Sequence, residues 1–130
     1  MYHIMIVEGD PVDLAVMRAI LQSKYEVTQG RSGHQTLETL KSGITPDIFL
    51  IDMTLPDIKG IDLVKTIREN EKYKKIPVIF ILESGIDGIE IRNHYESADD
   101  CLVKPVAPFL LEFRIKQQIN IMELKQKSEG

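Results

Sequence analysis

The 130-residue chain has a single cysteine, Cys101, and no long apolar run. One cysteine excludes an internal disulfide and fits a reducing compartment. The longest apolar stretch, Ile76 to Leu82, falls far short of the roughly 20 residues that a membrane-spanning helix needs. Met1-Tyr2-His3 carries no basic segment of a secretory leader. No basic excess offers a nucleic-acid footprint: the net charge is −4 and the pI is about 5.4. His3, His34 and His94 share no face with each other or with a cysteine, which argues against zinc. Neither a glycine-rich phosphate loop nor a Ser/His/Asp arrangement is visible. No repeat, low-complexity tract or interdomain linker interrupts the chain. These absences leave one cytoplasmic soluble domain, without nucleic acid or membrane as a partner. Its 43% apolar and 28% charged residues suit a globular core.

What is present is organised around Asp47 to Gly60. Ile48-Phe49-Leu50-Ile51 is too short for a helix and ends in Asp52, ahead of a loop punctuated by Pro56 and Gly60. This pattern predicts a buried strand that delivers one carboxylate to the end of a sheet. Tyr2 to Val7 reads as another strand. Asp10 is a good N-cap and Pro11 suits a first helical position, so a helix is expected to about Lys24. A polar strand over Tyr25 to Thr28 reads as an edge. Ser32 to Lys41 reads as a helix stopped by Gly43. An amphipathic helix is expected over Gly60 to Asn70, a strand buried on both faces over Pro77 to Leu82, and a weaker helix over Gly85 to Glu96. A short strand over Asp100 to Val103 precedes Lys104-Pro105. The last helix starts near Pro108 and is expected to fray at Lys125-Gln126-Lys127.

Five strands alternating with five helices predict an α/β doubly wound parallel sheet with helices on both faces. The flavodoxin-like (βα)5 arrangement, strand order 2-1-3-4-5, is the leading choice. Its topological switch lies between the first and third strands, so Glu8, Asp10 and Asp52 converge at the crevice where such folds bind ligands. Clustered carboxylates call for a cation, and oxygen ligands open to water suit Mg²⁺. A carboxylate beside that metal can act as a nucleophile toward phosphoryl groups, with Lys104 as a point charge on a phosphoryl oxygen. Taken singly, each residue has a plainer reading: Asp10 as a helix cap, Asp52 as a turn former, Lys104 as a solvated side chain. The joint spacing makes the case.

That spacing resembles the receiver domain of two-component response regulators. It does so through Ile4 to Pro11, Asp47 to Gly60, Pro77 to Leu82 and Ala98 to Pro105, over essentially the whole chain. The resemblance implies Asp52 as phosphoacceptor, Lys104 as phosphoryl contact, and a cis Lys104-Pro105 bond. It also implies Mg²⁺ held by Glu8, Asp10, Asp52 and the backbone carbonyl of Thr54. The phosphoryl group would come from a sensor histidine kinase or a small phosphodonor. The only catalysis implied is the domain's own phosphorylation and dephosphorylation, with an output domain or protein, or a homodimer, as further partner. Four positions depart from the family pattern, one of them Val106 in place of the usual Phe after Lys-Pro. Gly9 stands in the place of an acid, which implies weaker Mg²⁺ binding. Leu82 replaces the hydroxyl residue that ends the fourth strand, with Ser84 two residues on. Cys101 replaces the aromatic switch residue. They motivate the rival reading of a pseudo-receiver, an interaction module that is not phosphorylated. The receiver is expected to span residues 1–124, with 125–130 as a tail, linker start or engineered remnant.

Overall fold

A computed structural model describes residues 1–85 and 98–129. The helix expected over Gly85 to Glu96 lies almost wholly outside the described residues. Five parallel strands form one sheet in the order β2-β1-β3-β4-β5. They are β1 (His3–Val7), β2 (Glu26–Gly30), β3 (Ile48–Asp52), β4 (Val78–Leu82) and β5 (Asp100–Val103). The flavodoxin-like arrangement is therefore present. Both β3 and β4 are buried at every position, as expected of central strands covered on two faces. The edge strand β2 is mostly part-exposed and runs on to Gly30, two residues beyond the sequence expectation.

The two-residue period of each strand sorts side chains between two cores. Met5, Val7, Phe49, Ile51, Phe80 and Leu82 point to one face, where they meet Leu40, Leu63, Val64 and Ile67. Ile4, Ile6, Ile48, Leu50, Ile79 and Ile81 point to the other, against Leu14, Met17, Leu21, Leu111, Ile115 and Ile119. Full burial of each such large apolar side chain contributes about 1.5–3 kcal/mol, which makes these two layers the main source of stability.

The helices follow local chemistry. In α1 (Pro11–Leu21), Asp10 Oδ1 accepts hydrogen bonds from Val12 N (2.8 Å) and Asp13 N (3.2 Å), and Pro11 stands in the first turn. In α2 (Gly33–Lys41), Ser32 caps the N-terminus through Gln35 N, and Gly43 beyond the last turn has φ 105°, where a side chain would be strained. In α3 (Gly60–Arg68), Leu63, Val64 and Ile67 face inward. The C-terminal helix, Pro108–Glu129, buries Leu111, Ile115, Gln118 and Ile119. It does not fray at Lys125: the lysines and glutamine there are good helix formers, and Ser128 Oγ donates back to Lys125 O at 3.2 Å. No helix among the described residues is long and apolar enough to cross a membrane.

Candidate functional site

Strand register sets the site. Val7 pairs with Ile51, so the next residues, Glu8 and Asp52, leave the sheet side by side. Leu82 pairs with Val103, so Glu83 and Lys104 leave it side by side as well. Lys104 N donates to Leu82 O at 2.8 Å, which fixes the start of the lysine loop, and the Lys104-Pro105 bond is cis.

Lys104 is the hub. Its Nζ lies 2.8 Å from Asp52 Oδ2, 2.8 Å from Asp13 Oδ2, 2.8 Å from Glu8 Oε1 and 3.7 Å from Glu83 Oε1. The Asp52 and Asp13 contacts are hydrogen bonds. The Glu8 contact is close but badly aligned, and neither Glu8 oxygen has a hydrogen-bond partner among the described residues. Asp52 is 2% exposed, and its Oδ1 accepts from Thr54 N at 2.7 Å, which orients the carboxylate. Burial and the neighbouring Asp52 push the Glu8 carboxyl up to about 8, against the pull of Lys104. For Lys104, burial works against the charged form, but the contacts to Asp13, Asp52 and Glu8 outweigh it and raise its pKa above the ordinary lysine value.

An open cleft of about 330 Å³ stands over this group, lined by Gly9, Asp10, Asp13, Asp52, Thr54, Pro56, Glu83 and Lys104 among others. The structure thus brings Asp52, Lys104, Glu8 and Thr54 together. Asp10 reaches the cleft rim, but its Oδ1 is engaged in capping α1. Leu82 is fully buried and turned into the core, so it offers the cleft nothing polar, and Ser84 is not among the cleft's lining residues. Cys101 is buried, its thiol pushed up to about 12 by burial and by Asp100. Sequence reasoning missed Asp13 and Glu83 as site residues. Asp13 was legible only as a first-turn helix acid; the turn of α1 that places it over the cleft is a tertiary fact. Glu83 could have been found from strand order, as the first residue after β4, facing the first after β5.

Oxygen donors fit a hard cation here in a reduced way. Among the described residues no three His, Cys, Asp or Glu side chains form a ready metal cage. Gly9 brings no donor, and a Cβ there would lie 2.9 Å from Pro56 Cδ, so the loop has settled where a longer side chain would stand. Yet Mg²⁺ takes only one or two carboxylates and keeps several waters. Glu8 Oε1 already faces Lys104 Nζ at 2.8 Å, and Glu8 Oε2, buried beside Asp52 without a hydrogen bond, is the oxygen a cation would satisfy.

The flavodoxin-like sheet carries an acid at the end of β3 and a lysine just beyond β5, and comparison with known proteins gives the class of this α/β domain. The sequence model of the response regulator receiver domain matches residues 4–116, so the chain belongs to that family. The rice (Oryza sativa) two-component response regulator ORR11 is 36% identical over 107 residues, covering 82% of this chain and 73% of the rice protein. A response regulator of Chloroflexus aurantiacus superposes with a TM-score of 0.83 at 28% identity, covering 92% of this chain and 98% of that one. The receiver domain of a Pseudomonas aeruginosa sensor histidine kinase, which holds a magnesium ion in its active-site cleft, gives 0.82 at 27% identity, with coverage of 92% and 98%. Domains of this family are signalling modules of two-component systems rather than typical enzymes.

Proposed function

We infer that this domain is a phosphoacceptor receiver in the cytoplasm. It takes a phosphoryl group on Asp52 from a sensor histidine kinase or a small phosphodonor and thereby changes the surface offered to an output domain or protein, or to a second copy. The observation that carries this reading is the pairing of a buried, oriented Asp52 with Lys104 Nζ at 2.8 Å on the floor of an open cleft.

The chemistry follows from those residues. Thr54 N and Lys104 hold the carboxylate and disperse its charge, which leaves it oriented toward an in-line phosphorus. Lys104 then shifts toward the phosphoryl oxygens as a point charge. Glu8, Asp52 and the carbonyl of Thr54 would hold Mg²⁺, and the bound ion would neutralise charge on the transferring group. With Gly9 in place of an acid, its affinity is set below that of a receiver with a full acidic pair.

Gly9, Leu82 and Cys101 support the rival reading, an interaction module without phosphorylation. Intact mass after incubation with acetyl phosphate, with Mg²⁺ or with EDTA, separates the two. A gain of one phosphoryl mass in wild type and none in Asp52→Asn is expected. Labelling that persists in Asp52→Asn sinks the assignment of the acceptor. A folded wild type that gains nothing from acetyl phosphate or from phosphorylated kinase domains supports the pseudo-receiver.

A further inference from the structure

Leu82 ends β4 fully buried and offers no hydroxyl toward a group held on Asp52. The residue after it is Glu83, an acid half exposed at the cleft rim. Lys104 has three N–H donors. Three carboxylates stand 2.8 Å from its nitrogen, and Glu83 is the fourth and most distant at 3.7 Å. Of the four acids, Glu8 is sealed in the core, Asp52 belongs to a central strand, and Asp13 rides on α1. Glu8, like Glu83, follows the end of its strand, but of the four only Glu83 joins such a place to a side chain open to solvent. Leu82 is anchored by the 2.8 Å hydrogen bond from Lys104 N, whereas Gly85 has φ 84°, a conformation that can change without a side-chain penalty.

We propose that Glu83 is the positioning residue that reports phosphorylation in this domain, by repulsion. The proposal rests on the acceptor reading above. An Asp52 oxygen attacks the phosphorus of acetyl phosphate, the P–O bond to the acyl oxygen breaks, and acetate leaves with that electron pair; no proton moves. The carboxylate monoanion becomes an acyl phosphate dianion at the same place. The new group takes Lys104, and the added charge repels the remaining loosely held anion, Glu83. Glu83 swings outward from the anchored Leu82, and the backbone of Ser84 and Gly85 moves with it.

The test is an amide ¹⁵N–¹H spectrum of the full chain with and without acetyl phosphate and Mg²⁺, with intact mass measured in parallel. It compares wild type, Glu83→Gln, Glu83→Asp and Asp52→Asn. Glu83→Gln keeps the shape and removes the charge, and Glu83→Asp keeps the charge. In wild type and Glu83→Asp the Gly85 resonance is expected to shift as the phosphoryl mass appears. In those Glu83→Gln molecules that carry the phosphoryl mass, that shift should fall to less than half of the wild-type value. A Gly85 shift in phosphorylated Glu83→Gln equal to wild type overturns the role of Glu83 and leaves the acceptor intact. A folded wild type that gains no phosphoryl mass from acetyl phosphate or from phosphorylated kinase domains overturns the acceptor reading, and this proposal with it.

Discussion

Glu8 and Asp52 leave adjacent strands side by side, one sealed completely from solvent and the other 2% exposed, with Lys104 as their shared cation. Two carboxylates this close do not both ionise at low cost, and the more buried one holds its proton. A carboxyl with a higher pKa in the folded than in the unfolded chain binds its proton more tightly when folded. Its cost to stability is therefore absent below its ordinary value of 4.5, grows as pH rises, and levels off above about 8. Glu8→Gln imitates the protonated form. It should raise the midpoint of urea unfolding at pH 8.5 and leave it nearly unchanged at pH 4.5. Equal effects at the two pH values would show that Glu8 is ionised throughout.

Asp57 ties the loop beyond the acceptor strand to the start of α2. Its carboxylate accepts from Gly33 N and His34 N, both at 2.9 Å, and from Ile58 N at 3.0 Å, with His34 Nδ1 at 2.6 Å. The Gly33 amide first, then the His34 contacts, hold the Asp57 carboxyl well below the usual carboxylate range. Its contribution is present above the ordinary value of 3.8 and is lost as pH falls through the lower folded one. Asp57→Ala should cost about 1 kcal/mol at pH 7, as for loss of a helix cap, reduced where water screens the exposed side. Chemical denaturation at pH 7 and pH 2.5 checks this, with the difference shrinking in acid.

The fold was legible because its signals are periodic and local. The apolar runs Ile48 to Ile51 and Val78 to Leu82 are uniform, as only strands covered on both faces allow, and Asp10-Pro11 marks a helix start by cap chemistry alone. The convergence of Asp52 and Lys104 was legible because each stands at the end of a strand. Asp13 and Glu83 were not: their roles depend on how α1 and the β4 end lean over the cleft, and no single-residue preference encodes that. Asp57 drew no reading of its own within the loop punctuated by Pro56 and Gly60, since its partners on α2 lie 23 and 24 positions away in sequence. The persistence of the last helix to Glu129 was missed because a polar run gives no periodic signal, although its residues favour helix.

Cys101, which the sequence resemblance alone assigns to a switch position, is packed among the core residues facing α2 and α3. Burial, aided by Asp100, pushes its thiol up to about 12, so almost no thiolate exists at neutral pH. Modification by a disulfide reagent at pH 8 should be at least about a hundredfold slower in the native protein than in 6 M guanidinium. A native rate within tenfold of the unfolded one would mean that β5 opens readily, and would restore this position as a candidate moving part.

The last prediction concerns where the folded unit ends. Along the C-terminal helix, Leu111, Ile115 and Ile119 are buried, and Met122 still packs against the same core. Glu123 Oε1 accepts from Tyr2 OH at 2.7 Å, which ties this turn to the start of the chain. Beyond it Leu124 is 66% exposed and none of the later described residues is buried. Removal of residues 125–130 should therefore change stability by no more than about 0.5 kcal/mol, as surface changes do. Removal from Ile115 onward strips two buried isoleucines, Ile115 and Ile119, and should cost about 2–5 kcal/mol for each. That exceeds what a marginally stable domain tolerates. Thermal unfolding of the two truncations separates a domain that closes at Leu124 from one whose final turns matter. A fall of several degrees on losing only residues 125–130 would extend the folded unit through the tail.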